Sequence, residues 1–301
     1  MDHRWIPAQY YNNFGTYPAA LTVAPGDTVC TVTLDSRGRN SAMESLATSP
    51  NPLSGPIWVQ GAEPGDRLVV KVISIRPNRR YGYACNTLAG NVVDPDAVPS
   101  LPTRTLTEWD IDVDAWTARL LNPPAALQDL ELPLDPMLGC LGVAARGGQT
   151  ISSSTSEQHG GNMDYRGIKE GVTLQFPVFT PGGLLFVGDG HAIQGDGEIV
   201  GMGIEVSMDV TLSIDLIKGR AIRWPRGMNE EYLFAMGNAR PLDQALQHAT
   251  TELLRWLGED YNLDAEAASI LLGQCVRYDI GNVFDPAYTV VARIPRKLVE
   301  R

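Results

Sequence analysis

The sequence predicts a mainly β fold with a small helical segment near its C-terminal end. Three observations predict it. Glycine (30) and proline (21) are abundant among the 301 residues, a composition of turns and short strands rather than helices. A Pro-Gly turn recurs just ahead of apolar, β-branched runs, in "VAPGDTVCTVTLDS", "AEPGDRLVVKVISI" and "FTPGGLLFVGD". Finally, "GIEVSMDVTLSIDL" alternates with period two.

Each element follows from local chemistry. Proline presets φ at the second turn position and glycine accepts the positive φ of the third, so each Pro-Gly motif should start a strand. In the alternating run, Ile204, Val206, Met208, Val210, Leu212 and Ile214 share one face, and Glu205, Ser207, Asp209, Thr211, Ser213 and Asp215 the other. That pattern predicts a half-buried antiparallel strand starting at Ile204. A further strand is expected over Leu184–Val187. "RTLTEWDIDVDAW" reads as a strand pair, while "NTLAGNVVDPDAVPSLPT" and "GGQTISSSTSEQHGGNMDYRG" read as loops. After about Arg226 the period changes. Leu242, Ala245, Leu246, Ala249, Leu253 and Leu257 recur at helical spacing. A second helix follows with Asp264 as its N-cap, and "YTVVARIP" closes the chain as a strand. The expected organisation is a β-rich body over 1–225 carrying acidic site loops. A helical segment with a closing strand over 226–301 packs on that body as one unit.

Bulk properties narrow the function. The formal net charge is −11, which disfavours a nucleic-acid partner or an anionic membrane surface. A small molecule is the expected partner. The cysteines, Cys30, Cys85, Cys140 and Cys275, form no CxxC pair, so zinc-knuckle and thioredoxin readings lack support and reduced thiols are expected. The first residues lack a signal-peptide core, and no stretch reaches the ~18 apolar residues of a membrane span. Cytoplasm is the expected compartment. G-x-S-x-G, P-loop and zincin motifs are absent, and "ISSSTS" reads as loop.

One segment carries chemistry. "FVGDGHAIQGDGEIVGMGIEV" sets Asp189, His191, Asp196 and Glu198 among glycines. Carboxylates and an imidazole are ligands for divalent metals, and glycine lets a chain fold tightly enough for them to converge. On an extended backbone Asp189 and His191 face one side, and Asp196 and Glu198 do the same. Spacing alone leaves two readings open, a metal site and a hairpin loop whose acids cap turns and face water. The EF-hand spacing is not met.

Three stretches resemble the acetamidase/formamidase family. They are "NPLSGPIWVQGAEPGDRLVVKV" (51–72), "GCLGVA" (139–144) and the long run from "GGNMDYRG" through "FVGDGHAIQGDGEIVGMGIEV" to "IDL" (160–216). The resemblance departs at Gly38-Arg39, where a glycine–glutamine pair is expected, and at Ala145, where proline is expected. It implies a β/β/α architecture of sandwich- or barrel-like antiparallel sheets. It also implies a homodimer or higher homo-oligomer that hydrolyses short-chain linear amides to a carboxylate and ammonia.

Within that family reading a divalent metal, zinc with calcium as the alternative, activates water. Asp35, Glu63, Asp189 and His191 are its candidate ligands. Glu198 is the candidate proton-shuttling carboxylate, with Asp196 as a second catalytic candidate. Asn162 and Asp164 are candidate substrate-binding residues. Glu205 is offered by the matched motif too, but equally reads as solvated strand surface, and His159 is a weaker ligand candidate. Cys140, among small and apolar residues, reads as a buried inert thiol. The alternatives are a non-catalytic calcium- or ligand-binding β-sandwich and a hydrolase of a cyclic amide or carbamate.

Overall fold

The turns work through their aspartates as well as their glycines. In the computed structural model, which describes residues 1–300, Gly26 and Gly65 have φ of 89° and 97°. The next residue in each turn, Asp27 or Asp66, accepts the N–H of Ala24 or Glu63 at 2.9 and 2.8 Å. Each closed turn launches a strand, Asp27–Val32 and Arg67–Pro77. The third turn places Gly182, Gly183 and Leu184 at positive φ, so its strand starts one residue later than expected and runs much further, over Leu185–His191. Asp189 and His191 therefore lie inside a strand, not in the loop that follows it.

The strands form two large sheets. The first has nine, in the order Asp2–Arg4, Asp27–Val32, Met208–Ile217, Arg67–Pro77, Thr173–Pro177, Arg226–Met228, Tyr232–Ala239, Tyr288–Pro295 and Arg277–Asn282. It is antiparallel except at its first pair, and it runs unbroken across residue 225. The second runs Ser156–Glu157, Gly160–Asn162, Met137–Val143, Leu185–His191, Leu53–Val59 and Tyr10–Tyr11, with Leu21–Val23 parallel to Leu53–Val59. A smaller antiparallel sheet joins Glu131–Pro133, Thr117–Leu120, Leu106–Asp112 and Tyr81–Cys85. The loop expected over residues 147–167 contains short strands of its own, because Gly160–Asn162 pairs with Met137–Val143.

One apolar cluster takes Val70, Val72, Leu212 and Ile214 from the first sheet and Leu138, Leu141, Leu185 and Val187 from the second. The alternation holds from Met208 to Asp215, with Met208, Val210, Leu212 and Ile214 buried and Asp209 and Asp215 exposed. It fails before that. Ile204–Ser207 is buried on both faces, because Glu205 bridges Tyr83 on one side and His191 on the other. The regular strand begins at Met208, not Ile204.

The third layer is helical. Helix α1 (Leu242–Tyr261) and helix α2 (Ala265–Cys275) cover the end of the nine-stranded sheet. Ala249, Leu253, Trp256 and Leu257 pack with Leu233, Ala235, Ala292 and Ile294. Leu246 leaves the expected stripe and is 39% exposed. Glu252 takes a buried place on that face instead, 2.7 Å from buried Arg226. Asp264 caps α2 by accepting the Ala267 N–H at 2.8 Å. Among the described residues, no helix is long and apolar enough to cross a membrane. The result is mainly β, two curled sheets and a small helical layer.

Candidate active site

The strand Leu185–His191 runs between Met137–Val143 and Leu53–Val59, and its last turn of sequence points at the segment before Met208. Asp189 adopts φ of 56° within the strand, which swings its carboxylate toward the His191 ring. Gly139 on the neighbouring strand leaves room for the acids: a Cβ there would sit 2.3 Å from Asp164 Oδ1 and 2.5 Å from Asp189 Oδ2. Gly203 likewise lies against the His191 ring, 2.5 Å from where its Cβ would be.

His191 is the hub. Its Nε2 lies 3.2 Å from Glu205 Oε1 and 3.6 Å from Asp189 Oδ1. Its Nδ1 lies 2.8 Å from Gln194 Oε1. Gln194 Nε2 donates to the carbonyls of Asp164 and Gly281, at 2.5 and 3.3 Å, so the amide oxygen must face the imidazole. Nδ1 therefore carries the hydrogen, and in the neutral ring Nε2 presents a lone pair to the acids.

The donor atoms converge in two overlapping groups, Asp189–His191–Glu205 and Asp164–His191–Glu198, each within 4.8 Å. All five residues are buried. Asp164 Oδ1, Asp189 Oδ1, His191 Nε2 and Glu205 Oε2 have no hydrogen-bond partner. Orphaned buried polar atoms cost several kcal/mol together, and lone pairs left unsatisfied in two donor groups that share His191 are what a divalent cation would satisfy. The residues fit such an ion.

Around them lies an amide shell. Asn282 Nδ2 is within 2.7 Å of Asp164 Oδ2, 3.1 Å of Glu198 Oε2 and 2.7 Å of Asp285 Oδ2. An amide NH2 has only two hydrogens, so three acids crowd onto two donors. Asn162 Nδ2 also donates to Asp285, and its Oδ1 accepts from Asn51 Nδ2 at 3.1 Å and from the Cys140 thiol at 2.8 Å.

Burial and crowding set the protonation. Burial, reinforced by Asp285, Glu205 and Asp189 against the opposing His191, raises Glu198 well above the usual carboxylate range. Asp164 is raised too, by burial and then by Glu198 and Asp285. Glu205 is pushed up to about 7, first by burial. Asp285 is pushed up to about 6, again chiefly by burial. Burial pulls His191 down, but the Glu205 and Asp189 carboxylates outweigh it and raise the imidazole well above its ordinary value. Burial, then Asp189 and Asp164, raises the Cys140 thiol well above its normal range. Cys140 is fully buried and poorly placed to ionise as a nucleophile.

The structure brings together Asp164, Asp189, His191 and Glu198, with Asn162 in the shell. It does not bring in Asp35, Glu63 or Asp196. Asp35 Oδ2 is 2.6 Å from Arg79, and its Oδ1 accepts the N–H groups of Arg37 and Arg39, so its lone pairs are taken by its own turn and by Arg79. Glu63 is exposed and pairs with Lys218 at 3.0 Å. Asp196 is exposed and lies 3.7 Å from Arg166, because Gly197 and Glu198 both take positive φ and turn the two acids apart. His159 stays outside both groups, its imidazole pushed down to about 3 by burial.

Sequence reasoning undervalued Glu205 and missed Asn51, Gln194, Asn282 and Asp285. Asn51 and Gln194 lie within the motifs already singled out. Asn282 and Asp285 come from the final strand pair, where only the "GNVFDP" turn marks them.

Fold and site together describe a mainly β protein with a buried carboxylate–imidazole centre. Comparison with known proteins is specific. A family described as "Acetamidase/Formamidase family" matches residues 140–269. The acetamidase of Mycolicibacterium smegmatis is 30% identical, with 80% of this chain and 71% of that protein covered. The formamidase of Methylophilus methylotrophus is 26% identical, over 72% of this chain and 64% of that one. The chain thus spans about two thirds to seven tenths of these curated relatives. The crystal structure of an acetamidase from Yersinia enterocolitica superposes with a TM-score of 0.87 at 32% identity, covering 100% of this chain and 94% of the other. The chain belongs to the acetamidase/formamidase family.

Proposed function

We propose that the protein hydrolyses short-chain linear amides, of the acetamide and formamide type, to a carboxylate and ammonia. The reading includes a divalent cation held by His191, Asp189 and Glu205, with Asp164 and Glu198 beside it. The observation that supports it most is that orphaned, buried lone-pair atoms of Asp164, Asp189, His191 and Glu205 belong to two donor groups that share His191. An imidazole nitrogen in the donor set favours zinc over calcium, which prefers six to eight oxygens. When bound, such an ion lowers the pKa of a water and polarises the amide carbonyl.

The chain's own groups supply the rest. Gln194 fixes the His191 tautomer. Glu198, kept protonated by burial, delivers a proton to the leaving nitrogen. Asn162 and Asn282 hold the acids in register. Asp35 and Glu63 have structural roles in this reading, at the Arg79 pair and the Lys218 turn, and Asp196 is surface.

Ammonia release from a panel of formamide, acetamide and propionamide tests the activity. Protein stripped by chelator should be inactive and recover on adding zinc. Release from none of these by the metal-loaded protein would sink the amidase reading. Full turnover by verified metal-free protein would sink the metal. A homodimer or higher homo-oligomer is part of the proposal, checked by light scattering. So is a reducing, cytoplasmic compartment, which the four free cysteines support.

A further inference from the structure

Asn51 opens the first of the three matched stretches, and strand pairing carries it to the buried acids. Leu53 stands opposite Gly188 in the antiparallel pair of Leu53–Val59 with Leu185–His191. Stepping back along the first strand therefore steps forward along the second, toward Asp189. Asn51 adopts φ of 37° at this point, a left-handed conformation that asparagine enters more readily than most residues. Its own N–H is held by the Ser36 carbonyl at 3.0 Å.

The amide nitrogen of Asn51 faces three oxygens. Nδ2 lies 3.2 Å from Asp189 Oδ2, 3.1 Å from Asn162 Oδ1 and 3.3 Å from the Ser153 carbonyl. The Asn162 end is fixed, because its Nδ2 donates to the Asp285 carboxylate and its Oδ1 is left to accept. A carboxylate, a carbonyl and an amide oxygen around one atom require that atom to be the NH2.

Asp189 is buried. Among the described residues, the Asn51 amide is the one N–H group within hydrogen-bond distance of it, and the other contact of Oδ2 is the Cys140 thiol at 3.9 Å. Oδ1 has no hydrogen-bond partner and faces His191 Nε2 at 3.6 Å. One oxygen is thus held, and the other is left to the donor group of Asp189, His191 and Glu205. Asn282 divides Asp164 in the same way, with Oδ2 at 2.7 Å and Oδ1 unpartnered. Carboxylates that bind metals are oriented by such outer hydrogen bonds.

We propose that Asn51 is a positioning residue for Asp189: its amide holds Oδ2 so that Oδ1 is presented to the cation. This rests on the cation site of the reading above, in which Asn51 touches neither the ion nor the substrate.

Asn12 supplies the control. Its Nδ2 donates to the carbonyls of Thr48 and Pro50, at 2.7 and 2.5 Å, so it anchors the same loop without bonding to the acids. Glycine at position 51 accepts the positive φ and keeps the backbone bond to Ser36 while removing the amide. The zinc Kd of chelator-stripped protein is read by competition with a chromophoric chelator. It should rise about 10–100-fold in Asn51→Gly, the usual worth of a group that orients a ligand, and stay within about threefold in Asn12→Ala. Asn51→Ser, which also lacks the amide, repeats the test should the glycine variant not fold. Zinc affinity within about threefold of wild type in the Asn51 variants overturns the inference. So does an equal loss in Asn12→Ala, since loop anchoring would then suffice. A raised KM for acetamide with zinc affinity intact would make Asn51 a substrate contact and overturns it too. The expected zinc affinities with no ammonia from any amide would sink the amidase reading alone. Wild-type protein that binds no zinc overturns both.

Discussion

Gly139→Ala should disable the metal centre while leaving the protein folded. Gly139 sits in a regular strand without a positive φ, so alanine meets no backbone strain. All of its cost lies in two contacts. The new methyl would stand 2.3 Å from Asp164 Oδ1 and 2.5 Å from Asp189 Oδ2, against an ordinary contact of roughly 3.5 Å. The two carboxylates must therefore retreat by about 1 Å. Ligand distances in metal sites hold to about ±0.2 Å, so the retreat exceeds the tolerance several-fold. Misplacement of about 1 Å costs on the order of 100-fold in rate, and overpacking about 1–3 kcal/mol of stability. Elemental analysis should find the variant depleted in metal after dialysis, and ammonia release should drop about 100-fold or more. Gly195→Ala is the control, since nothing lies within 4 Å of the added methyl. A Gly139→Ala protein that retains stoichiometric metal and wild-type kcat/KM would refute the reasoning.

Three further outcomes are expected. Glu198→Gln should keep the metal, by elemental analysis, but lose about 100-fold or more in kcat, the usual worth of a positioned proton donor; wild-type kcat would remove Glu198 from the chemistry. Cys140→Ala should retain turnover within a few-fold, since the buried thiol is raised far from ionisation; an inactive but folded variant, by circular dichroism, would restore a cysteine mechanism. The gain in Tm from metal should grow with pH. In metal-free protein Glu205 and Asp285 are raised to about 7 and about 6. A raised folded pKa contributes stability that is full below the unfolded value, near 4, and lost as pH rises through 6 to 7. A bound cation would hold Glu205 ionised, so the Tm difference between loaded and chelated protein should widen from pH 5 to pH 8; a flat difference refutes the coupling.

The fold was legible wherever one face of a strand meets the core and the other meets water. Met208–Ile217 alternates for that reason, and the Pro-Gly-Asp turns are legible because their hydrogen bonds close within four residues. The same rule misreads Glu205. Period two places it with Asp209 and Asp215, but its face looks into His191 and Tyr83 rather than solvent. Asp196 and Glu198 fail differently. Two residues apart, they would share a side on an extended backbone, but Gly197 and Glu198 have φ of 80° and 46°. Local pattern carries neither the sign of φ nor the identity of what faces a strand.

Asn282 and Asp285 show where local reading stops. They reach Asp164 from 118 and Asn162 from 123 residues away along the chain, from the strand pair that α1 and α2 press onto the sheet. Their value arises only at closure. Asn282 donates to Asp164, Glu198 and Asp285, and the Asp285 charge adds to the burial that raises Asp164 and Glu198. The C-terminal segment thus contributes, through Asp285, to the raised protonation of acids on the β-rich body. Removing it would do more than expose a hydrophobic face: it would take away the donors that let these carboxylates stay together. The nine-stranded sheet also takes strands from both sides of residue 225.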